Sequence, residues 1–130
     1  MVCLDTSCII DLFRGHATAK SCIARLEAND ETITVAAPTI VELVGNASLN
    51  QNKKEKEDIL KLLSSIVILD LDKESAMLAG EIEAHLIMAG NLIGTIDIMI
   101  GAIARNNNEI LVTRNKKHFE KIPGLKIETY

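Results

Sequence analysis

Three carboxylic acids and one amide stand at places in the chain where they could share a metal ion. Asp5 follows the short apolar run Val2-Cys3-Leu4. Glu42 sits inside the apolar stretch Ile40-Val41-Glu42-Leu43-Val44. Asp97 follows Gly94-Thr95-Ile96, and Asn115 ends the polar stretch Thr113-Arg114-Asn115. Three carboxylates brought together repel each other unless a cation lies between them. Ligands that are all oxygen select hard cations, Mg²⁺ or Mn²⁺. Such a cation polarises a phosphoryl oxygen and activates water, so phosphodiester hydrolysis is the natural reaction class. Each acid also has a plainer use. Asp5 could cap a helix, and Glu42 and Asp97 could each favour a helix N-terminus. The apolar neighbours of Glu42 weigh against a merely solvated charge there.

Those residues need elements that bring them to one place. Short β-like runs alternate with helical patterns along the whole chain. Val2–Leu4 reads as a strand, with Thr6 and Ser7 as cap types before a helix that Gly15 ends. Residues 18–28 read as a second helix and Ile33–Ala37 as a second strand. Pro38 then suits the first turn of a helix, with Glu42 in about that turn. Residues 51–64 form a charged helix and Ile66–Leu69 a strand. A long helix over 73–89 turns Met77, Leu78, Ile82, Leu86 and Ala89 inward. Residues 97–105 give a helix, Ile110–Val112 a strand, 116–121 a short helix and Leu125–Ile127 a last strand. This alternation predicts a single α/β domain over residues 1–130, a central parallel sheet with helices on both faces. Ligands of such sheets bind beyond the carboxyl ends of the strands. Asp5, Glu42, Asp97 and Asn115 all belong to connections at that end.

The residues that form this pattern resemble a known family. LDTSCIIDLFRG at 4–15 looks like the first motif of PIN-domain ribonucleases of the VapC toxin type. PTIVELVGNA at 38–47 looks like their second motif, with Glu42 as its acid. The stretch from Gly90 to Ile127 looks like their third and fourth. The resemblance implies a metal-dependent endoribonuclease, often a homodimer and usually inhibited by an antitoxin encoded beside it. Carried over by position, Asp5, Glu42 and Asp97 match the acidic metal site, and Asn115 matches a secondary ligand. Thr6 or Ser7 matches the hydroxyl that supports the first Asp, and both are candidates for substrate contact. The departure is His118, where many relatives carry Asp three residues after the Asn. His118 is read as a surface residue, with general acid or metal ligand as its sharper alternatives.

Charge and composition narrow the rest. The chain has 130 residues, a formal net charge of −4 and three aromatic side chains, which disfavours binding RNA by stacked bases or bulk positive charge. The basic residues cluster late: five Lys or Arg against two acids from Arg114 onward. Arg114, Lys116 and Lys117 are therefore candidates for the phosphate backbone, balanced against a solvated helix end. Cys3, Cys8 and Cys22 lack metal-ligand spacing and read as buried thiols in a reducing cytoplasm. No apolar run is long enough for a membrane span. Asp11 is expected to turn away from the sheet end, with a place at the rim as the alternative. Two other readings compete with the nuclease. One is a non-catalytic RNA- or protein-binding module with a degraded metal site. The other is a phosphotransfer domain using Asp70 or Asp72, which lacks a suitably placed Lys.

Overall fold

The computed structural model describes all 130 residues as β1 (Val2–Leu4), α1 (Thr6–Phe13), α2 (Ala17–Ala28), β2 (Ile33–Ala36), α3 (Ala37–Leu49), α4 (Lys53–Ser65), β3 (Val67–Leu69), α5 (Lys73–Met88), α6 (Thr95–Asn106), β4 (Ile110–Val112), α7 (Lys116–Phe119) and β5 (Ile127–Glu128). The five strands form one sheet in the order β3-β2-β1-β4-β5, and every pairing is parallel. The expected α/β architecture is present. β1 is central, flanked by β2 on one side and β4 on the other, so the chain reverses its direction of travel across the sheet at β1 and β4. Connections diverge there and leave a crevice above the carboxyl ends.

Alternation along β1 divides the core in two. Val2 and Leu4 point to one face and pack with Cys8, Ile9, Leu26, Leu43 and Ile59 of α1 to α4. Cys3 points to the other face and packs with Ile82 and Leu86 of α5, Ile98, Ile100, Ala102, Ile103 and Ala104 of α6, and Phe119. Burial on both faces is why these strands read as continuous apolar runs. All three cysteines are free and buried, and burial pushes the Cys3 and Cys8 thiols up to about 12. Gly15 and Gly90 take φ values of +75° and +70° just after α1 and α5, the left-handed turn that closes a helix without a Cβ clash.

Several expected details differ. Ala37 joins α3 instead of β2, so Glu42 lies in the second turn of α3 and the first turn holds no acid. A helix-dipole role for Glu42 is thereby removed. Thr6 and Ser7 are inside α1, and Asp5 holds the cap position without a side-chain cap bond. β5 lies at Ile127–Glu128, two residues later than its apolar run suggested, because its register is set by pairing with Leu111 and Val112. On α5 the inward face is Ser75, Ala79, Ile82 and Leu86, while Met77 is 60% exposed and Ala89 is exposed. Small side chains at 75 and 79 complete the i, i+4, i+7, i+11 stripe that faces α6. No helix is long and apolar enough to cross a membrane.

Candidate active site

Asp5 lies at the carboxyl end of β1, where its backbone N–H donates to the Val112 carbonyl at 3.0 Å. Its side chain is almost wholly buried, and Oδ2 accepts hydrogen bonds from Ser7 Oγ at 2.9 Å and Thr113 Oγ1 at 2.7 Å. One hydroxyl comes from α1 and the other from the end of β4, so the carboxylate is fixed across the crevice between neighbouring strands. Burial pushes the Asp5 carboxyl above the usual Asp range. The two hydroxyls oppose that, and the Asp97 charge adds to it.

Glu42 comes from α3 on the other side of the crevice. Its Oε1 accepts a 2.6 Å hydrogen bond from Thr6 Oγ1. Burial raises its carboxyl too, the Thr6 bond opposes this, and the charges of Asp97 and Asp5 raise it further. Glu42 thus feels both other acids, and Asp5 feels Asp97. Asp97 opens α6 in the first turn after Gly94, where the helix N-terminus favours an anion. Its Oδ2 lies 3.3 Å from His118 Nδ1. Asp5, Thr6, Ser7, Ile10, Glu42, Asn46, Asp97, Arg114 and Asn115 line one cavity of about 200 Å³. Three carboxylates from β1, α3 and α6 therefore face a single pocket.

The donor set fits a hard divalent cation: carboxylate, hydroxyl and amide oxygens with unrelieved mutual charge. No three His, Cys, Asp or Glu side chains are gathered tightly enough to enclose an ion as they stand. Hydroxyls fix two of the acids: Ser7 and Thr113 hold Asp5, and Thr6 holds Glu42.

A family model described as PIN domain matches residues 2–125. The chain is a PIN domain. Over 129 residues it is 30% identical to the tRNA(fMet)-specific endonuclease VapC of Shigella flexneri, covering 98% of this chain and 96% of that protein. This identity and coverage place it with the VapC members of the family. The structure of VapBC2 from Rickettsia felis, bound to a DNA fragment from its promoter, superposes with a TM-score of 0.88. It is 28% identical and covers 100% of this chain and 99% of that one. A toxin-antitoxin complex from Klebsiella pneumoniae gives a TM-score of 0.75 at 26% identity, covering 96% and 95%.

Within this PIN domain, most residues singled out in the sequence lie around one cavity. Asp5, Glu42, Asp97, Asn115, Thr6, Ser7 and Arg114 all line it. Thr6 and Ser7 commit their hydroxyl protons to Glu42 and Asp5, so they orient carboxylates. Lys116 and Lys117 are exposed on α7 and do not line the pocket. His118, read as a surface residue, is exposed yet touches Asp97.

Three residues were missed or misplaced. Thr113, read as ordinary loop, is fully buried; its hydroxyl donates to Asp5 and accepts the Asn115 backbone N–H at 2.9 Å. Asn46 stands one turn beyond Glu42 on the same face of α3, a spacing the helix period could have supplied. Asp11, expected to turn away, is 1% exposed and pairs with Arg114 Nη1 at 2.6 Å. No local signal marks that pairing, because the partner is over a hundred residues away.

Proposed function

We propose that this PIN domain is a divalent-metal-dependent endoribonuclease, the toxin of a toxin–antitoxin pair. The observation that supports it best is the convergence of Asp5, Glu42 and Asp97 on one pocket, where burial and then neighbouring acid charge raise the carboxyls of Asp5 and Glu42. The endonuclease activity named for the Shigella flexneri relative and the complex form of the solved relatives point the same way.

Asp5 and Asp97 would hold Mg²⁺ or Mn²⁺, with Glu42 beside them and Asn115 as a secondary ligand. Such a cation supplies Lewis-acid polarisation of the phosphoryl oxygen and an activated water. The protein groups do the positioning. Ser7 and Thr113 lock Asp5 in one rotamer. Thr6 occupies Oε1 of Glu42, which leaves Oε2 to take a proton from the attacking water. A Glu with a raised pKa suits that task near neutral pH. Arg114 at the pocket rim neutralises a backbone phosphate, and Lys116 and Lys117 extend the positive charge along α7. The partner would be a cognate antitoxin. A second copy would cover exposed apolar side chains such as Val41 and Leu49 on α3 and Met77 and Met88 on α5. Free buried thiols fit a reducing cytoplasm.

The test incubates purified protein with unfractionated tRNA in Mg²⁺, in Mn²⁺ and in chelator, then repeats it with Asp5→Asn. Cleavage should require metal, and the variant should lose about 100-fold or more in rate. Metal should also raise the melting temperature of the wild type. Cleavage indifferent to chelator and variant would overturn the mechanism. No cleavage and no metal-induced stabilisation would favour a non-catalytic binding module.

A further inference from the structure

We propose that Asp11 and Tyr130 are positioning residues that hold the Arg114 guanidinium at the rim of the acidic pocket, where it receives a phosphate of the RNA strand. The proposal rests on the nuclease reading above.

Asp11 stands one helical turn after Ser7 on α1, and its carboxylate is 1% exposed. A buried carboxylate is costly unless its oxygens are satisfied. Oδ1 accepts from Arg114 Nη1 at 2.6 Å, with His16 Nδ1 3.4 Å away. Oδ2 accepts from the Tyr130 hydroxyl at 2.6 Å. Burial, then this hydrogen bond, drives the Tyr130 phenol strongly upward, so it stays a neutral donor across the physiological range. Tyr130 thus fixes the second oxygen and leaves the first to Arg114.

The arginine is held from two ends. Its backbone N–H donates to Ser7 Oγ at 3.2 Å, the same hydroxyl that supports Asp5. Its side chain remains 51% exposed and lines the pocket with Asp5, Glu42 and Asp97. A guanidinium has five N–H donors, and the bond to Asp11 uses one, leaving the others for a phosphate. Without Asp11 a flexible cation beside three carboxylates would fold onto them and occupy the place of a metal ion. The buried anion behind Arg114 prevents that collapse and turns the positive charge outward to the strand.

A double-mutant cycle tests this on a labelled transcript of the RNA cleaved from the tRNA pool. Arg114→Ala should raise KM about tenfold, and Asp11→Asn about fivefold, with kcat changed less than about twofold. In the Arg114→Ala background, Asp11→Asn should add less than about twofold to KM, because the two residues act as one unit. Tyr130→Phe removes only the hydroxyl and should raise KM about threefold with an unchanged circular dichroism spectrum. It carries the test if Asp11→Asn fails to fold. Unchanged KM in Tyr130→Phe, or additive effects of Asp11→Asn and Arg114→Ala, would overturn the positioning role while leaving the nuclease reading intact. A wild type that cleaves no RNA would overturn the nuclease reading and this role with it.

Discussion

Thr6 shows how much the site depends on a single atom. Its hydroxyl is the one side-chain partner of Glu42 and fixes which oxygen of that carboxylate stays free. Thr6→Val keeps the shape and removes the donor. A hydrogen bond to a charged group contributes about 1.5–3 kcal/mol, less where solvent reaches the pair, as it does at half-buried Glu42. The expected outcome is a fall of about tenfold in kcat, with KM nearly constant, because orientation is lost and phosphate contacts are kept. Steady-state kinetics of Thr6→Val and Thr6→Ser check it; Ser should restore most of the rate. Equal losses in both variants would show that the hydroxyl is not the cause.

At the scale of elements, α6 carries the heaviest constraint. Ile98 and Ile100 to Ala104 are buried, so the helix is enclosed on nearly every side while its first turn presents Asp97 to the pocket. Gly101 makes that enclosure possible: a Cβ there would collide with Ile122 Cδ1 and press on Leu125. Gly101→Val should therefore displace the segment after α7 and cost about 1–3 kcal/mol by overpacking. Urea unfolding should show a lower midpoint with an unchanged slope. A midpoint equal to that of wild type would mean that Ile122 repacks freely. The element scale also shows where sequence patterns mislead. Met77 belonged to an apparent apolar face of α5, yet the packed face runs through Ser75 and Ala79. Two helices in close contact favour small side chains at the seam, and a pattern of hydrophobicity alone does not weigh size.

Across the whole molecule the two ends of the sheet are built differently. The carboxyl ends hold the acidic pocket, while just before β4 lies Glu109, a carboxylate 1% exposed that receives the Thr34 hydroxyl and leaves Oε1 without a partner. Burial raises its carboxyl, with Thr34 and the N-terminal charge opposing. A folded-state value above the unfolded one means the folded chain favours the protonated form. The contribution of Glu109 is therefore fully present below the unfolded value of about 4.3 and is lost as pH rises through the folded value. Glu109→Gln, uncharged at any pH, should gain on the wild type as pH climbs from 4 to 8. Urea midpoints of both proteins across that range measure it; parallel curves would contradict the assignment.

Local physics in the chain determined the alternating strands and helices and the placing of acids just past strand ends. Apolar runs, cap types, Pro38 and Gly15 act over a few residues and are legible there. The same locality made Asp5, Glu42, Asp97 and Asn115 recognisable as a set once a parallel sheet was assumed. Strand order, and with it the crevice between β1 and β4, was settled only by the tertiary structure. So were the hydroxyls that Glu42 receives from Thr6 and Asp5 from Thr113, and the burial of Asp11 against Arg114 and Tyr130. These depend on which side chains meet across 36 to 119 residues of chain. Such meetings arise from packing two cores on one sheet, and no spacing within a single element encodes them.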